Sequence, residues 1–347
     1  MASDSLITFS EAVEASDRTV GPPSILLGNG FSIDWRDTFN YKSLYEDATF
    51  DGLSVSKEEL FGRLGTLDFE VVINSLNVAA DLADLYETCD GDLSEFFRAD
   101  VDSIRSGLAD VIARRHPNRA KVITSDEVAH ARTFLSHFGK IFTLNYDLLL
   151  YWVVNRNSVA PYDVPVRDGF EWPTASGPDE LIWKPRPTQG EQSIYYLHGA
   201  LHYFYESGKL HKLGYGFAEP LIDQIRDRIE GGQYPRIVTE GKSADKLSAI
   251  RISPYLTHCR QVFQELEGDL FIHGVSLAPN DDHILSLLES DRSDIRAVYV
   301  GIHGNPDSDD NDEIIRRTKR MARRRGTNGG RKLKTFFYDS SSARVWR

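Results

Sequence analysis

Seven short apolar runs, most of them separated by stretches with helical spacing, set the strongest limit on how this chain can fold. The first, Ser24-Ile25-Leu26-Leu27, is bounded by Pro22-Pro23 and runs into Gly28-Asn29-Gly30, the pattern of a buried strand entering a tight loop. The others cover residues 140–145, 193–198, 236–239, 269–273, 297–302 and 333–338, with helical candidates at 255–266, 282–289 and 309–325. Strands alternating with helices predict an α/β fold, a mostly parallel sheet with helices on both faces.

Two stretches break this rhythm. Residues 57–115 lack a clear strand and carry helical spacing at Phe69, Val72, Ile73, Leu76, Ala79-Ala80, Leu82, Leu85 and Tyr86, which predicts a helical insertion between the first and second strands. Residues 159–192 are rich in Pro, Gly and charge and read as a long surface loop, a length uncommon without function. The 309–325 helix opens on Asp309-Asp310 and closes on Arg323-Arg324-Arg325 before Gly326, which complements its dipole and reads as a solvated helix end more than as a nucleic-acid patch. The net charge of −12 argues the same way, since nonspecific nucleic-acid binding depends on basic side chains releasing counterions. An anionic cofactor is still admissible, because backbone amides can hold phosphate. Only Cys89 and Cys259 are present, which excludes a disulfide framework and a four-cysteine zinc site. Residues 1–16 have neither a basic nor an apolar signal region, and no apolar run approaches a bilayer span, so a cytoplasmic protein without membrane contact is expected.

The polar residues at the strand ends carry the chemistry. Gly28, Gly30 and Ser32 stand at a strand-to-helix turn whose glycines would let amides approach a pyrophosphate, although Ile33 and Asp34 occupy the place of the third dinucleotide glycine. Such a turn also occurs without a ligand. Asn145 and Asp147 follow the second strand, where they could meet a ribose or water, or could equally cap the helix that starts near Leu148. His198, with Gly199 after it, ends the third strand and suits proton transfer; a buried, hydrogen-bonded histidine is the plainer reading. His202 and His211 lie nearby, but His198-x-x-x-His202 sits in strand-like sequence without the helical glutamate of a zinc protease, so no metal is expected. Gly274 and Ser276 close the fifth run, without the second glycine of a hydrolase nucleophile elbow, and Asp281 or Asp282 after them could be a plain helix cap.

In order, the GNGFS loop, the TLNYDLLLYW strand–helix, the YLHGALH strand and the SLAPNDDHI segment resemble the sirtuin family, and more closely a bacterial sirtuin-like family of unknown function. The resemblance spans about residues 24–300 and implies one Rossmann-like, NAD-binding domain over residues 20–347, with residues 57–115 inserted in it. It further implies that Gly28, Asn29, Gly30 and Ser32 lie against the pyrophosphate and that Asn145 and Asp147 contact the nicotinamide ribose. By the same resemblance His198 is the base, and Gly274 and Ser276 lie under the adenosine-side ribose and phosphate. Asn29 replaces the alanine usual in sirtuins, and Asp34-Trp35-Arg36 is only suggestive of the aspartate–phenylalanine–arginine that follows there. Without the four zinc cysteines, lysine deacylation is disfavoured and NAD hydrolysis is expected, with NAD as substrate. Relatives of this kind include NAD-hydrolysing antiphage effectors, which implies a gated enzyme in antiviral defence, a homo-oligomer or the target of a defence partner. The alternative is a non-catalytic NAD or ADP-ribose sensor that signals to a partner. An NAD-dependent oxidoreductase ranks lower, lacking the third glycine and a placeable acidic ribose-binding residue.

Overall fold

The computed structural model describes residues 6–36, 44–67, 69–86, 93–117, 119–172, 180–188, 190–214, 220–238 and 243–347. Cys89, Thr239 and part of the 159–192 stretch therefore lie outside the described residues. The described strands are β1 (Ser24–Leu27), β2 (Lys140–Thr143), β3 (Phe170–Glu171), β4 (Glu180–Trp183), β5 (Ile194–Tyr196), β6 (Gly199–Glu206), β7 (Lys209–Leu213), β8 (Pro235–Ile237), β9 (Glu267–His273), β10 (Asp294–Ile302) and β11 (Lys334–Asp339).

Six of them form an all-parallel sheet in the order β11-β10-β9-β1-β2-β5. Numbered by their appearance in the chain, those six read 6-5-4-1-2-3, the order of a Rossmann dinucleotide-binding sheet. The strands are apolar without alternation because helices cover both faces: Ile25, Leu26, Leu27, Ile141, Phe142, Leu270 and Phe271 are all fully buried. Each such side chain contributes roughly 1.5–3 kcal/mol by leaving water.

The fourth apolar run, at 236–239, belongs elsewhere. β8 pairs antiparallel with β6 in a second sheet of order β3-β4-β7-β6-β8, so this run is not part of the parallel sheet expected for it. Residues 199–213, strand-like in sequence only as far as His202, supply β6 and β7, and the expected surface loop at 159–192 contains β3 and β4. Gly199 marks the departure from one sheet to the other. Its φ is +74°, and a Cβ there would lie 1.8 Å from the Arg236 carbonyl oxygen, so only glycine lets β6 start against β8.

Between β1 and β2 the chain carries helices Lys57–Leu64, Phe69–Tyr86, Leu93–Arg115 and Ser125–Leu135. Phe69, Val72, Ile73, Leu76 and Ala80 are buried as their spacing predicts, whereas Leu82, Leu85 and Tyr86 are exposed, because they turn off the face that continues from Leu76 and Ala80. The last long helix, Asp309–Thr327, passes through Gly326 instead of stopping there. Arg325 is not part of a solvated basic end: it is fully buried and donates to the carbonyls of Ile295 and Ser293. Among the described residues no helix is long and apolar enough to cross a membrane.

Candidate active site

In a sheet of this order ligands bind beyond the carboxyl ends of the strands, at the point where the order reverses. That point falls between β1 and β9, and the two loops that leave it are stitched together by backbone. Gly28 N–H donates to the His273 carbonyl and Gly30 N–H to the Gly274 carbonyl, both at 2.9 Å. A Cβ at Gly30 would lie 2.5 Å from Gly274 Cα, one at Gly28 would lie 2.6 Å from the Gly274 oxygen, and Gly274 itself has φ +68°. The glycines are thus accounted for by close approach of two main chains. The amides of Phe31 and Ser32 are engaged by the carbonyls of Gly28 and Asn29. A phosphate held on this turn would have to share or displace such bonds.

Beside the crossing, residues distant in sequence meet in one hydrogen-bonded group. Asn145 Nδ2 donates to the Gly28 carbonyl at 3.0 Å and to Ser32 Oγ at 3.1 Å, and Ser32 Oγ donates to Asp147 Oδ2 at 2.5 Å. Asp147 Oδ1 accepts from Leu149 N–H at 2.9 Å, the first amide of the helix Leu149–Val154, whose N-cap position is Leu148. Burial raises the Asp147 carboxyl above its ordinary range, against the pull of the Ser32 and Leu149 hydrogen bonds. Asn145 is half-buried, and with both amide hydrogens directed to protein its Oδ1 is the atom suited to accept from a ligand.

A second group forms around His198, just past the end of β5. Its Nδ1 lies 3.1 Å from the Leu144 carbonyl oxygen; a carbonyl can only accept, so Nδ1 carries the proton and Nε2 the lone pair. That Nε2 faces His283 Nε2 at 2.8 Å and Asp281 Oδ1 at 4.0 Å, and Lys246 Nζ contacts the same Asp281 oxygen at 3.0 Å. Burial pushes His198 down to about 3 and His283 down to about 4, so both rings are neutral at pH 7. Burial alone would raise Asp281, but the two imidazoles and the Lys246 ammonium hold it below the usual carboxylate range.

The structure brings Ser32, Asn145 and Asp147 together, and sets Gly28, Gly30 and Gly274 against one another directly below. Asn29 is half-buried at the head of the short helix Gly30–Ile33. Ser276 is exposed; its Oγ accepts from Ala278 N–H, and among the described residues no hydrogen bond joins it to the Asn145 group. His202 does not meet His198 but packs among Tyr151, Tyr196 and Tyr203. His283 and Lys246 are the residues that the strand-end reading misses. Asp281, weighed there as a helix cap, makes no capping bond and turns to Lys246. The Asp-x-His pair after a parallel strand is a signal that could have pointed to Asp281 and His283; nothing in the sequence around Lys246 marks it. His198, Asp281 and His283 also present one ligand atom each, all within 4.8 Å of one another, and form the group of this kind found among the described residues.

The strand order and the polar residues at its reversal define a Rossmann-like parallel α/β protein with a candidate site at the switch point. The chain belongs to the DUF4917 family, a domain of unknown function, whose family model matches residues 25–346. No curated protein matches it in sequence.

Proposed function

We propose that this protein binds NAD across the carboxyl edge of the parallel sheet and hydrolyses the nicotinamide–ribose bond. The observation that carries this reading is the dinucleotide strand order with Ser32, Asn145 and Asp147 gathered at its reversal and a buried His198 beside them. The likeness of the GNGFS, TLNYD, YLHGALH and SLAPNDDHI segments to sirtuins supports the choice of NAD among nucleotides. In the reaction the C1′–N bond breaks with its electron pair leaving on neutral nicotinamide. A water oxygen bonds C1′ of the resulting oxocarbenium-like ribosyl group, and its proton passes to a base. Asn145 Oδ1 would orient the water or a ribose hydroxyl. His198 Nε2 would take the proton once the His283 ring yields its place, with the Asp281 carboxylate compensating the imidazolium. General-base assistance of this kind is worth ~10²–10⁴ in rate.

Purified protein incubated with NAD should release free nicotinamide, resolved by chromatography, and His198→Ala and Asn145→Ala should each lower the rate by roughly 10²-fold or more. Equal nicotinamide release by wild type and both variants would remove the assignment. The engagement of His198 Nε2 by His283 favours one second reading, a binding-only NAD or ADP-ribose sensor. NAD binding by calorimetry with the nucleotide intact after hours selects it. Unrestrained cleavage would deplete NAD, so an active enzyme is expected to be gated by self-assembly or by a defence partner.

A further inference from the structure

We propose that His198, His283 and Asp281 form a binding site for one divalent transition-metal ion of the zinc class. The two Nε2 atoms stand 2.8 Å apart, and Asp281 Oδ1 is 4.0 Å from His198 Nε2. Ligands that bind zinc at ~2.0–2.1 Å in tetrahedral geometry stand roughly 3.3 Å from one another. The imidazole pair therefore needs to open by about 0.5 Å and the carboxylate to close by about 0.7 Å, movements that side-chain torsions supply. The Nδ1–H of His198 is fixed on the Leu144 carbonyl, the backing that orients a metal-ligating histidine and leaves Nε2 as the donor. In the metal-free molecule the one proton between the rings belongs to His283 Nε2, and its transfer to Nδ1 of the same ring frees the second donor without net charge. Both imidazoles are almost fully buried, unlike the exposed acidic groups that gather on many surfaces without a metal. Two imidazoles and one carboxylate suit zinc, cobalt or nickel, and suit magnesium or calcium poorly.

Lys246 is the built-in competitor. Its ammonium sits 3.0 Å from Asp281 Oδ1, where it supplies the positive charge that a metal would otherwise bring. Binding is therefore weakened by Lys246 and strengthened by its removal, a sign that a merely structural histidine pair would not give. The site shares His198 and Asp281 with the NAD reading but does not depend on it. Only its consequence for turnover rests on that reading: a bound ion occupies the His198 lone pair and blocks its use as a base.

The test uses the full chain, stripped with chelator and titrated with Co²⁺ while its visible absorption and the binding heat are followed. One equivalent is expected, with His283→Ala weakening uptake by about 100-fold or more, beyond the 10–100-fold typical of outer-shell changes. Lys246→Met should bind more tightly than wild type, and far-UV circular dichroism keeps the comparison to folded variants; Asp281→Asn stands in if His283→Ala does not fold. No stoichiometric uptake by wild type, or His283→Ala and Asp281→Asn with wild-type affinity, overturns the proposal. Nicotinamide release by the metal-free protein is read separately. Cobalt uptake without cleavage keeps the metal site and removes NAD hydrolysis, and cleavage without uptake does the reverse.

Discussion

Replacing Gly30 by alanine tests whether the glycines after β1 serve the packing of two main chains. The added Cβ would lie 2.5 Å from Gly274 Cα and 3.2 Å from its oxygen. Carbon atoms pack at about 3.5–4.0 Å, so the loops must part by roughly 1 Å. Neither neighbour is a flexible side chain, and the movement falls on backbone. Overpacking of this kind costs about 1–3 kcal/mol, and stretching the Gly30 N–H bond to Gly274 O adds about 0.5–1.5 kcal/mol. A loss of about 2–4 kcal/mol is expected, read as a lower urea midpoint at unchanged slope. Gly62 is the control. It lies in the helix Lys57–Leu64, exposed, with nothing within 4 Å of its added Cβ, so Gly62→Ala should stabilise by about 0.5–1 kcal/mol. Gly30→Ala melting within about 0.5 kcal/mol of wild type refutes the packing account. If that variant also lost NAD binding, contact with a ligand would be the reason for the glycine.

Acid should destabilise the fold through its buried histidines. Burial depresses His198 to about 3 and His283 and His273 to about 4, so between pH 6.5 and 4 the unfolded chain binds protons that the folded one refuses. Stability contributed by the neutral rings is present above pH 6.5 and is lost as pH falls, at up to ~1.4 kcal/mol per pH unit per ring; urea midpoints of His198→Gln between pH 7 and 4.5 should show a shallower slope than wild type, and parallel curves would argue against it. Asp147→Ala removes acceptors from the Ser32 hydroxyl and the Leu149 N–H, and a loss of about 2–4 kcal/mol is expected by urea denaturation, with no loss if water replaces both bonds. Arg325→Met leaves the Ile295 and Ser293 carbonyls without their donor at the start of β10; a similar loss is expected, and a melting temperature equal to wild type would show that those carbonyls are satisfied otherwise.

Residues such as Ile25, Leu26, Phe142, Leu270 and Val298 announce the parallel sheet because a strand buried on both faces tolerates no polar alternation, and that pattern survives in one dimension. The run at 236–239, which meets β8, produces the same signal from a different cause. A short apolar run reports burial but not its hydrogen-bonding partner, and here the partner is β6. The hairpin that anchors β6 was legible by a different rule. Ser207-Gly208 is a two-residue link between β6 and β7 with φ of +48° and +74°, the mirror-type turn that Ser-Gly between strand-like segments can mark. Its flanks, HYFYE and KLHKL, hide it because aromatic and basic side chains occupy positions where aliphatics would be sought.

The site was legible to the degree that strand ends are. Asn145, Asp147 and His198 could be placed at the carboxyl edge from the run that precedes each, and Ser32 from the glycines before it. What no spacing contains is the lateral order of the strands, and that order decides who meets whom. Because β1 lies between β2 and β9, Ser32 meets Asn145 and Asp147 from one side and the Gly274 loop from the other. His198 follows the outermost strand on the β2 side, yet the segment after β9 reaches back over the edge to set His283 and Asp281 against it. The consequence is chemical. In isolation His198 would be an ordinary imidazole near pH 6.5; burial of the ring keeps it neutral far into acid, and His283 stands against its lone pair. For the proposed hydrolysis and for the proposed metal site alike, that pair has to open before His198 Nε2 can act.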